Sequence, residues 1–133
     1  MKYDEFKAIL TKQKARQRPR HLEEDIQTAC VEWFRYAYKN YVIFAVPNGG
    51  SRNAREAANM KRSGTLAGAS DLIIVAEQAV LFIEMKTKTN KQTELQVAFQ
   101  QAVERLGHTY AVCHSLKEFQ LVVERFLKER YGI

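Results

Sequence analysis

The chain has 133 residues, enough for one domain with a single hydrophobic core and no need of disulfides or structural metals. Its 46% hydrophobic and 27% charged residues are those of a water-soluble globular protein. No apolar run approaches the roughly 18–20 residues of a membrane span, and the basic N-terminus lacks an apolar signal core.

The formal net charge of +6 is unevenly placed. Residues 1–20 carry seven Lys/Arg against Asp4 and Glu5, whereas the remainder carries fourteen basic and thirteen acidic residues. A basic arm of residues 1–20 ahead of a nearly neutral body (21–133) fits a polyanion partner, because Lys and Arg displace counterions from phosphate backbones. It fits a solubilising tail equally well. Cys30 and Cys113 each stand alone in an apolar stretch, as expected of buried thiols in a reducing, cytoplasmic setting. His108, Cys113 and His114 do not have zinc-ligand spacing.

Within the arm, Tyr3, Phe6, Ile9 and Leu10 make a short amphipathic piece, and Pro19 marks its boundary with the body. From Leu22 to about Lys39, Leu22, Ile26, Cys30, Trp33, Phe34, Ala37 and Tyr38 recur at helical spacing, with Glu23, Glu24 and Asp25 in the first turn. Tyr41–Val46 reads as a strand stopped by Pro47-Asn48-Gly49-Gly50, and Ser51 to about Ser63 as a short helix or ordered loop. Gly64 and Gly68 bracket a tight connection into Asp71. The apolar runs Leu72–Val75 and Val80–Ile83 form a hairpin. Thr93-Glu94-Leu95-Gln96 is a capping box opening a helix to about Leu106, with Leu95, Phe99, Val103 and Leu106 as its buried stripe. Thr109–Cys113 is a strand, and Ser115-Leu116-Lys117-Glu118 a second capping box for a last helix through about Lys128. The order suits a mixed sheet flanked by helices, of α/β class.

The hairpin carries the chemistry. If its turn centres between Glu77 and Gln78, Asp71 lies across from Glu84, with Cβ atoms about 4.5–5.5 Å apart. Lys86 shares the face of Glu84 because strand side chains alternate with period two. Two carboxylates and an ammonium then converge at one end of the hairpin. Mg²⁺ prefers one or two carboxylates plus waters and phosphate oxygens, so Asp71, Glu84 and the Met85 carbonyl are candidate ligands, with Lys86 offsetting charge near a phosphate. Glu-x-Lys alone is also a commonplace cross-strand ion pair, and an Asp before a strand a commonplace turn residue.

With Glu23-Glu24-Asp25-Ile26-Gln27, Pro47–Gly50, Gly64–Ile73, Phe82–Lys86, Thr93–Gln96 and Gly107–Val112 in this order, the chain resembles a VRR-NUC domain of the PD-(D/E)XK nuclease superfamily, of a stand-alone phage or bacterial type. The departure is Ser70, where the superfamily pattern has proline. The resemblance implies a restriction-endonuclease-like core with a four-stranded mixed sheet. It also implies Mg²⁺ or Mn²⁺ dependence and action on DNA. Asp71 and Glu84 correspond to the metal-binding acids, Lys86 to the catalytic lysine, Glu23 (Glu24 if the register slips by one) to the helix acid, and Gln96 to the glutamine near the lysine. Small single-domain members resemble homodimeric Holliday junction resolvases, and an isologous dimer matches the two-fold symmetry of a four-way junction.

Asn48, Arg52, Arg55, Lys61, Arg62 and Lys88 are candidate DNA contacts. Trp33, Phe34, Tyr36, Tyr38 and Tyr41, and Phe119, Val122, Val123 and Phe126, are candidate dimer surfaces, although such stripes are more often core. No base-reading motif is present. The leading expectation is a structure-selective DNA endonuclease. A flap, fork or single-strand nuclease, a ribonuclease, and a non-catalytic DNA-binding subunit are the alternatives.

Overall fold

The computed structural model describes residues 2–9, 22–47 and 53–132. Residues 3–9 are helical (α1). After them come α2 (Leu22–Ala37), β1 (Val42–Ala45), α3 (Ala54–Arg62), β2 (Leu72–Ala76), β3 (Ala79–Met85), α4 (Glu94–Arg105), β4 (Thr109–Cys113) and α5 (Leu116–Tyr131). The four strands form one sheet in the order β1-β2-β3-β4, antiparallel across the first two pairs and parallel across β3–β4. This is the expected mixed α/β sheet, with α4 as the crossover that a parallel pair requires.

Strand alternation sorts the two faces. Ile43, Leu72, Ile74, Leu81, Ile83, Met85 and Cys113 point to one side and join Cys30, Trp33 and Phe34 of α2 and Phe119, Val123, Phe126 and Leu127 of α5 in the core. The Trp33 and Phe119 rings meet edge-on at 5.9 Å. Trp33, Phe34, Phe119, Val123 and Phe126 of those stripes are therefore core, with Tyr38, Tyr41 and Val122 partly buried against it. On the opposite side α4 covers the β3–β4 half: Phe99 lies edge-on to Phe82 at 5.2 Å and to Tyr110 at 6.2 Å. On the β1–β2 half, Val42, Phe44 and Val75 stay exposed.

Part of the basic N-terminal segment is anchored. Tyr3 stands edge-on to Trp33 at 6.0 Å and Phe6 stacks on Tyr36 at 5.0 Å, so α1 docks along α2 through its aromatic side. Residues 10–21 lie outside the described residues.

Two local expectations are corrected. Leu95 and Leu106 do not belong to the buried stripe of α4; they are 58% and 73% exposed. The helix docks through Phe99 and Val103 and turns Gln96 and Gln100 inward, because the end of the sheet it covers carries Glu84, which Gln96 reaches directly, and Tyr110, which Gln92 reaches while bonded to Gln100. The second capping box is only half made. Ser115 caps α5 by accepting from the Glu118 N–H at 3.1 Å, but the Glu118 carboxylate turns to His114 Nδ1 at 3.0 Å instead of the Ser115 N–H.

Candidate active site

The hairpin turns at Glu77-Gln78, pairing Ala76 with Ala79 and Leu72 with Ile83. One step further along this register Asp71 faces Glu84, as the sequence predicts. The Asp71 carbonyl accepts from the Val46 N–H at 2.8 Å, so its backbone is spent on the β1 side. Asp71 and Glu84 are therefore a non-hydrogen-bonded pair, the kind whose side chains stand closer together. The Asp71 carboxylate is aimed by a different contact: Oδ2 accepts from the Met85 N–H at 2.8 Å. In an extended strand the N–H and C=O of one residue point the same way, so the Met85 carbonyl is turned to the Asp71 side as well. Ser70, in the position of the family proline, is fully buried and its hydroxyl donates to the Leu72 carbonyl at 3.2 Å. A serine tied to the strand it precedes thus fixes the approach to Asp71 without proline's rigid ring.

Glu84 is 3% exposed. Its Oε2 accepts from Gln96 Nε2 at 3.0 Å and lies 3.8 Å from Lys86 Nζ. Its Oε1 is buried and receives no hydrogen bond. Burial, and then the Asp71 carboxylate beside it, push the Glu84 carboxyl up to about 8; Lys86 pulls it down, and Glu23 adds a further upward push. Two acids packed together with one oxygen lacking a donor leave a place for a cation, which would satisfy that oxygen and relieve the repulsion. The donor set is all oxygen, the preference of Mg²⁺ and Mn²⁺, so these residues fit such an ion.

Gln96 is held from both ends. Thr93 Oγ1 accepts from the Gln96 N–H at 3.2 Å, and Gln96 Oε1 accepts from the Thr93 N–H at 2.9 Å, completing the capping box. Its remaining amide hydrogens are thereby aimed at Glu84. A second approach fixes the same turn: a Cβ at Gly68 (φ +89°) would lie 2.4 Å from the Leu95 carbonyl oxygen, so only glycine lets the segment before Asp71 touch the start of α4.

In the first turn of α2 Glu23 is half-buried and Glu24 exposed, and the Glu23 charge adds a small upward push on Glu84. Among the described residues, however, no group of three His, Cys, Asp or Glu side chains gathers at metal-holding distance, so the assembled acids are the pair Asp71 and Glu84. Arg55, Lys61 and Arg62 are exposed on α3, with Arg62 Nη2 donating to Asn59 Oδ1 at 2.8 Å, and Lys88 is exposed beyond β3. Asn48 and Arg52 lie outside the described residues.

One polar cluster was not anticipated. Gln92 Nε2 donates to Gln100 Oε1 at 3.0 Å and to the Tyr110 hydroxyl at 3.2 Å, tying the loop between Lys86 and α4 to the sheet. The available signal was Tyr110 itself: a tyrosine at an inward strand position needs a partner for its hydroxyl. Burial, ahead of the neighbouring charges, pushes that hydroxyl up to about 12.

Comparison with known proteins agrees with this geometry. The profile of the VRR-NUC domain matches residues 21–117. A search of curated proteins returns no match. A solved structure described as a VRR_NUC domain protein superposes with a TM-score of 0.66 at 23% identity, covering 84% of this chain and 92% of that one. At that identity the superposition speaks for the fold, while the profile spans most of the chain. The chain belongs to the VRR-NUC family of nuclease domains.

Proposed function

We propose that the protein is a metal-dependent, structure-selective DNA endonuclease, acting as a homodimer on four-way junctions. The observation that carries the metal-dependent chemistry is the buried Glu84 Oε1 with no donor, beside Asp71 and with Lys86 3.8 Å from the other carboxylate oxygen. Keeping a second carboxyl buried beside Asp71 costs stability even with Lys86 nearby, which favours a site over plain packing.

Asp71, Glu84 and the Met85 carbonyl would hold Mg²⁺ or Mn²⁺, with Glu23 at the edge of the site. Such an ion supplies Lewis-acid shielding of phosphate charge and a more acidic water. The chain's own groups do the rest. The Met85 N–H fixes Asp71, and Gln96 fixes Glu84. The Lys86 ammonium orients the attacking water and offsets negative charge growing on the scissile phosphate. Arg55, Lys61, Arg62 and Lys88 hold flanking phosphates, a backbone contact that reads shape without reading bases.

The test is a cleavage panel of four-way junction, flap, fork, single-stranded and linear duplex DNA with Mg²⁺ or Mn²⁺. The proposal expects paired nicks in the junction, and expects Asp71→Ala and Lys86→Ala to bind it without cutting. Cutting confined to flaps or single strands would retain the enzyme and reject the junction. Cutting that survives in both variants would reject the site.

A further inference from the structure

Water that attacks a phosphodiester must lose a proton as its oxygen bonds to phosphorus, and the groups around Asp71 and Glu84 leave that proton without an acceptor. Asp71 Oδ2 accepts from the Met85 N–H and Glu84 Oε2 from Gln96, and the remaining carboxylate oxygens are those a cation would take. The Lys86 ammonium has no lone pair. The Tyr110 hydroxyl, pushed up to about 12 mainly by burial, keeps its own proton. Imidazole is the side chain suited to the task.

The chain has three histidines. His21 lies outside the described residues. His108 precedes β4 at the hairpin-turn end of the sheet, away from Glu84; its Nδ1 accepts from the Val80 N–H at 3.2 Å and its ring packs edge-on to Phe82 at 6.2 Å. His114 follows β4 at the end that bears the acids. The parallel β3–β4 ladder runs on past the strands there: the Lys86 N–H donates to the Cys113 carbonyl at 3.0 Å, which pairs Lys86 with His114 one step beyond Met85 with Cys113. Adjacent strands lie about 4.8 Å apart, so His114 stands directly beside Lys86. Ser115 is still extended, at φ −155° and ψ 164°, so strand alternation holds through this stretch. Cys113 is in the core and Tyr110 packs on α4. Alternation therefore places His114 on the face of Glu84 and Lys86.

Glu118 fixes the ring. Its Oε1 lies 3.0 Å from His114 Nδ1, and its Oε2 accepts from Ser115 Oγ at 3.5 Å. As the third residue of α5 it has capping-box spacing to Ser115, but it holds the imidazole in place of the backbone N–H. A carboxylate has no proton to offer, so Nδ1 carries the hydrogen and the neutral ring keeps its lone pair on Nε2. The His114 side chain is 31% exposed against 12% for Lys86, so the ring is open to an incoming substrate.

We infer that His114, oriented by Glu118, is the general base of the reaction. The inference rests on the nuclease reading and supplies the proton acceptor that reading lacks. An O–H bond of the attacking water breaks, its proton passes to Nε2, and the oxygen electron pair forms the new bond to phosphorus. The P–O bond to the leaving nucleotide breaks with its pair on oxygen, which takes a proton from solvent water. The Glu118 carboxylate stabilises the imidazolium until Nε2 returns its proton to solvent.

Ring-nitrogen NMR and single-turnover kinetics test it. In the metal-free chain the neutral His114 ring is expected to carry its proton on Nδ1, and Glu118→Ala to lose that preference; a proton on Nε2 in the wild type overturns the inference. With Mn²⁺ and the DNA of the cleavage panel that the wild type cuts fastest, His114→Ala is expected to slow cleavage about 100-fold, within the range for general acid–base catalysis. Binding of that DNA in Ca²⁺ is expected to stay unchanged, and added imidazole to restore cleavage about tenfold. His114→Asn, whose amide still donates to Glu118 but which holds no base, is expected to be as slow as His114→Ala. Full activity of His114→Asn would mark a purely structural pair and overturn the inference, as would a loss that imidazole does not repair. A wild type that cuts no DNA rejects the nuclease reading itself, whereas a wild type and His114→Ala that cut equally fast reject only the base.

Discussion

Gln96 reaches Glu84 through Nε2 at 3.0 Å while its Oε1 accepts from the Thr93 N–H at 2.9 Å, so one amide both caps α4 and orients the buried acid. Gln96→Ala is expected to remove both functions. Loss of the reciprocal cap costs stability on the order of 1 kcal/mol. Loss of the donor to Glu84 is expected to weaken Mn²⁺ binding about 10–100-fold, the range for groups that orient metal ligands. Thermal melts together with Mn²⁺ titration check both; unchanged Mn²⁺ affinity would deny Gln96 its orienting role.

Without metal, Glu84 keeps its proton up to about 8 instead of the ordinary 4.5, chiefly because it is buried and then because Asp71 stands beside it. Between those values the folded chain holds a proton that the unfolded chain has released. Stability of the metal-free protein is therefore expected to fall as pH rises from about 4.5 to about 8. Glu84→Gln, which has no proton to lose, should flatten that slope. Urea midpoints in EDTA across this window decide it, and a wild-type midpoint that climbs through it contradicts the burial of a protonated Glu84. For the same reason Mn²⁺ should bind more tightly as pH rises through the window.

Gly68 and Gly64 both have positive φ, +89° and +117°, but only Gly68 is crowded. Gly64→Ala is expected to cost about 1–2 kcal/mol for the backbone alone. Gly68→Ala adds a collision with the Leu95 carbonyl, for roughly 2–3 kcal/mol in total, and should disturb Gln96 one residue further on. Denaturation of the two variants side by side reads the difference; equal losses would mean that the contact with α4 contributes nothing.

Gln78, with φ 59°, is the only non-glycine residue in the left-handed region among those described. It is the second residue of the two-residue hairpin turn, where positive φ is required and glycine adopts it freely. Gln78→Gly is expected to raise stability by about 0.5–1 kcal/mol, the left-handed cost less the entropy glycine adds to the unfolded chain. A lower urea midpoint would show that the Gln78 side chain stabilises the turn by other means.

Much of this was legible because short-range rules govern it. Alternation and a two-residue turn are enough to put Asp71 across from Glu84, and Thr93 with Gln96 announces the start of α4. Periodicity fails where tertiary chemistry outranks it. Leu95 and Leu106 have helical spacing, yet the helix turns Gln96 and Gln100 inward, where Gln96 donates to Glu84 and Gln100 accepts from Gln92, the amide that reaches Tyr110. Glu118 follows Ser115 at capping-box spacing, yet His114 competes for its carboxylate. The Met85 N–H that aims Asp71 is a backbone group, invisible in a list of side chains. That Glu23 is half-buried and Glu24 exposed depends on the rotation of α2, which residue types alone do not give.

The most direct test of the central claim compares wild type with Lys86→Ala in single-turnover cleavage of a labelled four-way junction with Mn²⁺, with junction binding measured in parallel in Ca²⁺. Lys86 sits 3.8 Å from Glu84 and is largely buried, so it is placed to act on the phosphate and too enclosed to act as a general surface charge. Binding by the variant should stay within about threefold of wild type while cleavage slows by at least about 100-fold, the scale for removing one group that stabilises developing charge. Cleavage by Lys86→Ala at the wild-type rate, or wild-type cleavage undiminished in EDTA, would contradict the account.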